Sequence, residues 1–255
     1  MNRRDLDGFL ALHDGRYEDR RRGLRNEGPV EEKFARAVLY EACASWRIEI
    51  EPVAIRGGHF GLTRERWRDT DGADRPIAVE WLMFTEINDD ELISYAVAFD
   101  PDDINGAIDE LTARWIASGD VTHPEIIESV LRFNEEANRH DWDAIATRLA
   151  GATYISHRQL GIDGADIEDY VSSIRMFESL VPDLWTELAE VLAHSAIGLV
   201  AYMVLKGTST DDVAIEIPTI HLALIDGDRV THLETFDPAQ CDLALTRFQE
   251  LNTFS

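Results

Sequence analysis

The second half of the chain sets proton-bearing side chains inside otherwise apolar runs. Tyr202 interrupts the run 199–205, and His221 interrupts the run 217–225. His232 and Glu234 lie two residues apart, so in a strand they share one face. A carboxylate beside an imidazole orients the ring and supports acid–base work. Upstream, Ala152-Thr153-Tyr154-Ile155-Ser156-His157-Arg158 adds a phenol, an imidazole and a guanidinium. An unperturbed imidazole titrates near ~6.5, so His157 can shuttle protons at neutral pH, which the hydroxyl of Ser156 cannot. These residues form one candidate set: Tyr154, His157, Arg158, Tyr202, His221, His232 and Glu234 as ligand contacts, with His157 as base and Tyr154 or Tyr202 as donor. The competing reading is a group of hydrogen-bonded core or interface side chains. His157, His221 and His232 carry no local metal-ligand motif, so no metal is expected. No G-x-G-x-x-G, Walker A or G-x-S-x-G sequence occurs, so no cofactor is expected either.

Positioning these groups requires strands. Apolar runs over 185–194, 198–206, 213–225 and 229–236 read as a meander. Helical spacing covers 124–140, 141–149 (capped by Asp141) and 166–181, the last ending before Pro182. Pro238 opens a closing helix that runs towards Leu251. The first half repeats the series with a helix over 30–42, strands over 47–55, 60–68, 77–87 and 92–99, and a helix over 102–117.

The likeness between the halves has a period. Phe99-Asp100-Pro101 matches Phe236-Asp237-Pro238 at an offset of 137, as Tyr17 matches Tyr154. Asp5-Leu6-Asp7 answers Asp141-Trp142-Asp143 at 136. Ordered agreement at several sites points to a tandem duplication, with domains 1–119 and 120–255 and no first helix in the former. At 137 residues, Ala201, Met203 and Leu205 stand where the first copy alternates Arg64, Arg66 and Arg68. Those arginines are read either as a pairing surface or as a solvent-facing ladder. Asp19, the counterpart of Ser156, precedes Arg20, Arg21 and Arg22, as in a solvated turn with local ion pairs.

The formal charge is −25, divided as −10 over residues 1–120 and −15 over 121–255. With no basic footprint, nucleic-acid binding is excluded as a leading reading and an anionic membrane surface is disfavoured. Cys43 and Cys241 make no disulfide framework. No uncharged run approaches the ~18 residues of a membrane span, and the N-terminus lacks a signal-peptide stretch, so a cytoplasmic setting is expected.

The order of elements, with Phe99-Asp100-Pro101, Phe236-Asp237-Pro238, Asp141-Trp142-Asp143-Ala144-Ile145 and His157-Arg158-Gln159-Leu160-Gly161, resembles the SnoaL-like and ketosteroid-isomerase-like domains of the NTF2-like superfamily. Tandem SnoaL-like segments close larger actinobacterial proteins that carry nucleotide-cyclase or ATPase-regulator modules. The resemblance implies an α+β chain of two tandem NTF2-like cones, each a curved antiparallel sheet wrapped around helices. It also implies an apolar pocket, in which the seven polar residues would meet in the second copy. The expected function is binding of a small apolar organic molecule, as a regulatory module. The alternative is an isomerase, cyclase or hydrolase using His157. Such domains usually pair through the sheet, so an internal pseudo-dimer or a homodimer is expected. Ser156 stands where the isomerases place a catalytic carboxylate, which counts against isomerase chemistry in the second copy.

Overall fold

The computed structural model describes residues 11–22, 26–29, 46–69, 78–158 and 166–253. The chain divides into two compact units, Met1–Asp120 and Val121–Ser255. Asp5-Leu6-Asp7, Cys43, residues 159–161 and the helix expected over 30–42 lie outside the described residues.

The first unit contains β1 (His13–Asp19), β2 (Asn26–Pro29), β3 (Trp46–Arg56), β4 (Phe60–Asp69), β5 (Ala78–Ile87) and β6 (Ile93–Phe99), followed by α1 (Ile104–Ala117). Its strands lie in the order β2-β1-β6-β5-β4-β3. The second begins with α2 (Pro124–Asn138), α3 (Trp142–Leu149), β7 (Thr153–Ser156) and α4 (Ile167–Leu180). The meander β8 (Trp185–Ser195), β9 (Gly198–Thr208), β10 (Ala214–Asp226) and β11 (Arg229–Phe236) follows. A 3-10 turn at Pro238–Gln240 leads into α5 (Cys241–Thr253). The order here is β8-β9-β10-β11-β7.

Both sheets are mixed, which corrects the purely antiparallel sheets that the resemblance implied. The meander strands pair antiparallel, while β1 lies parallel to β6 and β7 parallel to β11. Each of these short strands reaches its partner across a long stretch of chain, the condition that parallel pairing requires.

Local chemistry fixes the helix ends. Asp103, Asp141 and Asp166 each accept a hydrogen bond from the amide three residues on, capping α1, α3 and α4. After Phe236 the Asp237 and Gln240 side chains complete a reciprocal cap. His140 takes a left-handed φ of 58° between α2 and α3. The carbonyl and carboxylate contacts of its ring, described below, hold it there.

The sheets share register as well as order. A shift of 137 carries the parallel pair Tyr17↔Ala96 onto Tyr154↔Leu233, and Asp19↔Ala98 onto Ser156↔Thr235. Across β5 and β10 the shift is 138, since Leu82↔Phe99 becomes Ile220↔Phe236. The bulge between Glu86 and Ile87 recurs between Leu224 and Ile225. The extra step is absorbed in the turn: Ile87 pairs with Ile93, whereas Ile225 pairs with Val230, which leaves one residue fewer between them. Gly227, at φ 61°, makes the tighter turn possible.

That single residue corrects the comparison of the arginine strand. Arg64 pairs with Leu82 and Tyr202 with Ile220, so the counterparts of Arg64, Arg66 and Arg68 are Tyr202, Val204 and Lys206, not Ala201, Met203 and Leu205. A slip of one residue exchanges the faces of a strand. The arginines find carboxylates within their own sheet: Arg64 with Glu80 at 2.8 Å, and Arg66 with Glu51 at 2.9 Å and Glu80 at 3.3 Å.

Candidate functional site

The second sheet has helices on both faces, and each face carries different chemistry. On one, β9 contributes Leu199, Ala201, Met203 and Leu205, β10 contributes His221, Ala223 and Ile225, and β11 contributes Leu233. These are alternate residues, as a pleated strand requires. Opposite them stand Phe133 and Ala137 of α2, Trp142 and Ile145 of α3, and Tyr170 and Ile174 of α4. Between lies a cavity of about 80 Å³. An apolar cavity of ~150 Å³ admits benzene, so this space, about half that volume, is tight even for a single ring and too small for anything larger.

The polar groups of the lining are mostly engaged elsewhere. Arg148 holds Glu136 at 2.6 and 3.0 Å and donates to the Asp228 carbonyl at 2.8 Å. The Asp228 carboxylate pairs with Arg132 at 2.5 Å, and the two arginines hold it below the usual carboxylate range. Ser129 donates to the Gly227 carbonyl at 3.3 Å, and the Trp142 indole donates to Glu178. His221 contributes an imidazole in the middle of β10, with Nε2 3.1 Å from the Thr219 hydroxyl.

On the other face α5 packs over Val200, Ile220, Leu222 and Phe236 through Ala244 and Phe248. Cys241 and Tyr202 pack against the same cluster. Beside it Glu234, 0% exposed, gathers three donors. His157 Nε2 lies 2.7 Å from Oε2, His232 Nε2 lies 2.7 Å from Oε1, and Arg247 Nη2 lies 3.0 Å from Oε1. Burial alone would raise the Glu234 pKa, but hydrogen bonds from His232, Arg247 and His157 overcome it and lower the value to about 2. The His157 ring stacks on Phe236, with centroids 4.4 Å apart and planes within 6°.

The seven residues singled out in the sequence therefore divide between the faces instead of meeting in one pocket. His221 lines the cavity. Tyr154 borders it: its ring lies 4.9 Å from that of Tyr170, and its hydroxyl lies 3.2 Å from Thr235 Oγ1. His157, His232 and Glu234 meet beneath α5, and Tyr202 packs on the same side. Arg158 reaches Asp237 at 3.2 Å, tying the segment after β7 to the Phe-Asp-Pro turn. The physical reason is parity. His232 and Glu234 share a face, but that face is opposite the one shown by Leu233, and His221 stands opposite Thr235. Three histidines split in this way do not converge, and among the described residues no group of three or more His, Cys, Asp or Glu is arranged to hold a metal ion.

Sequence reasoning missed Arg247, Trp142 as a cavity wall, and its partner Glu178. Arg247 is 13 residues from Glu234, and Glu178 is 36 from Trp142, so no local spacing announces either contact.

The first unit carries a different surface where the second has its cavity. Tyr17, Trp67, Trp81, Met83, Ala96 and Ala98 form a buried cluster, and the two indole rings lie 5.3 Å apart. By register Met83 takes the place of His221, Trp81 that of Thr219, and Trp67 that of Leu205. Asp19 accepts from Tyr17 at 3.2 Å and from Arg21 at 2.6 Å, and the Arg21 guanidinium lies 5.1 Å from the Trp81 ring centroid.

No protein-family profile matches this chain, and no curated protein matches it. Among the described residues no helix is long and apolar enough to cross a membrane. Solved structures similar to it include SnoaL-like, NTF2-like and ketosteroid-isomerase-like proteins. A protein assigned as a polyketide cyclase from Bacillus cereus is 16% identical, covering 50% of this chain and 82% of its own, with a TM-score of 0.37. An NTF2-like protein of unknown function from Burkholderia pseudomallei is 16% identical over 48% of this chain and 98% of its own, also at 0.37. A protein with a ketosteroid-isomerase-like fold from Catenulispora acidiphila, in complex with trimethylamine, is 15% identical over 45% of this chain and 86% of its own, at 0.36.

Proposed function

We propose that residues 120–255 form a SnoaL-like binding domain for a neutral, largely apolar molecule no larger than one ring, oriented by a hydrogen bond to His221. Residues 1–119 are, on this reading, a duplicate whose corresponding face is packed shut and which serves structure. The observation that carries the proposal is an apolar cavity with an imidazole in its wall, while the charged groups of that wall are already paired. Apolar walls supply affinity, and one placed polar group supplies orientation. A charged ligand would lose its hydration and find no opposite charge to replace it.

Binding without a second convergent acid or base is the work of a sensor or carrier, in keeping with a regulatory module. The enzymatic alternative with His157 as base draws no support. Its Nε2 faces Glu234, its ring lies flat on Phe236, and it stands across the sheet from the cavity.

Calorimetric titration with phenol and toluene tests the reading. Phenol should bind the wild-type chain, and His221→Leu should weaken phenol by about tenfold while leaving toluene within about threefold, the cost of one hydrogen bond. His157→Ala should leave both unchanged. A wild-type chain that binds neither probe would sink the proposal.

A further inference from the structure

One side-chain cluster outside the cavity is hydrogen-bonded to two residues of its lining. Glu178 of α4 lines no part of the cavity, yet each of its carboxylate oxygens holds a different group. Oε1 lies 2.5 Å from His140 Nδ1, and Oε2 accepts from the Trp142 indole. His140 Nε2 in turn donates to the Leu184 carbonyl at 3.0 Å. Trp142 and Leu184 both line the cavity. One carboxylate therefore ties α4 to the α2–α3 junction and, through His140, to the start of β8. Trp142 lines the cavity and is only partly buried, so part of it reaches both the cavity and solvent.

We propose that Glu178 sets the size limit of the cavity by holding the Trp142 indole closed as its outer wall. The proposal rests on the binding reading above and deepens it. A charge-assisted bond is about twice as strong as a neutral one, so this wall is held more firmly than by packing alone. Without the carboxylate the indole turns outward, and the space behind it admits a fused ring pair. Glu178 is a positioning residue here, because it acts only through Trp142 and His140.

The test compares phenol with 2-naphthol on the full chain by calorimetry. Glu178→Ala should raise 2-naphthol affinity by about tenfold and leave phenol within about threefold. Glu178→Gln is isosteric and keeps a neutral acceptor for the indole, so it should raise 2-naphthol by about threefold only. Asp143→Ala removes another tie between α3 and α4, the 2.8 Å pair with Arg175, and should leave the limit unchanged. A graded gain from Glu through Gln to Ala supports the proposal. An unchanged limit in both Glu178 variants, or an equal gain in Asp143→Ala, overturns it while phenol binding to the wild type still stands. Loss of phenol binding in the wild type itself overturns the binding reading and this inference together.

Discussion

Apart from the additional edge strand β2, the two units build one strand order and one bulge position around opposite uses of the same sheet face. In the second unit that face looks into a cavity through Leu205, Ala201 and His221. In the first, Trp67, Trp81 and Met83 fill the corresponding ground with a buried cluster. The other face is organised alike in both, but one charge is reversed: Glu110 of α1 corresponds to Arg247 of α5, while Arg20 corresponds to His157. Arg20 lies 5.3 Å from the Phe99 ring centroid and holds Glu110 of α1 at 2.9 Å. In the second unit His157 lies on Phe236, and Arg247 of α5 stands at the position of Glu110. The helix that closes each unit is thus fastened by ions at one corner, which leaves the opposite face free to differ. A sheet anchored on one side can tolerate a cavity on the other.

The largest expected effect comes from opening the packed face. Trp81 is 2% exposed, and Trp81→Ala should destabilise the first unit by ~3–5 kcal/mol, since a large buried ring leaves an uncollapsed void. The equivalent step in the second unit, Thr219→Ala, removes far less volume and should cost ~1 kcal/mol. Differential scanning calorimetry of both variants measures the contrast. Equal losses would show that the two faces are packed alike.

The reversed charge gives a contrast in acid. Glu234 titrates at about 2 in the folded chain against an ordinary 4.5. A carboxylate with a depressed folded pKa stabilises fully above its unfolded value and loses that contribution as pH falls towards the folded one. The second unit should therefore lose on the order of 3 kcal/mol between about pH 4.5 and 2. Glu234→Gln should flatten that part of the profile, at the cost of lower stability at pH 7. Urea unfolding at stepped pH reads both, and a profile unaltered by the substitution would remove Glu234 from the account.

Much of the scaffold was legible because its signals are local. Pro182 ends α4, Asp141 caps α3, and apolar runs mark the meander, while the caps at Asp103 and Asp166 emerge only in the structure. The faces were not legible for a specific reason. Parity groups His232 with Glu234, but both faces of β11 are covered, so hydrophobicity cannot say which one meets the cavity. A constant offset of 137 also fails at a turn shorter by one residue, across which the faces of β4 and β5 exchange relative to β9 and β10. Period-two structure turns a single deletion into a complete reversal. Arg247 and Glu178 depend on helices meeting distant strands or helices, which only tertiary structure supplies.

Filling the cavity sharpens the comparison from the other side. Ala201 is 1% exposed and lies in the cavity wall. Ala201→Leu places three extra carbons into existing space, so stability should change by less than ~1.5 kcal/mol, whereas overpacking a full core costs more. Phenol binding should fall below detection by calorimetry. A variant that unfolds would mean that the walls cannot accept the volume the cavity provides.

The smallest effect belongs to the arginine strand. Arg64 and Arg66 converge on Glu80, and those two guanidinium groups hold its carboxyl below the usual range, Arg64 contributing most. All three side chains reach solvent, where an ion pair gains little over hydration and costs side-chain freedom. Glu80→Gln should therefore cost only ~0.5–1 kcal/mol, and 0.5 M salt should remove most of the difference. The carboxylate of Glu234 should respond far less to salt, because it is itself 0% exposed, although its partners reach solvent. Thermal unfolding of Glu80→Gln and Glu234→Gln at low and high salt decides the matter. If both variants lost their deficit in salt, the anchoring ions beneath α5 would be no different in kind from a surface ladder, and the asymmetry between the two faces would rest on packing alone.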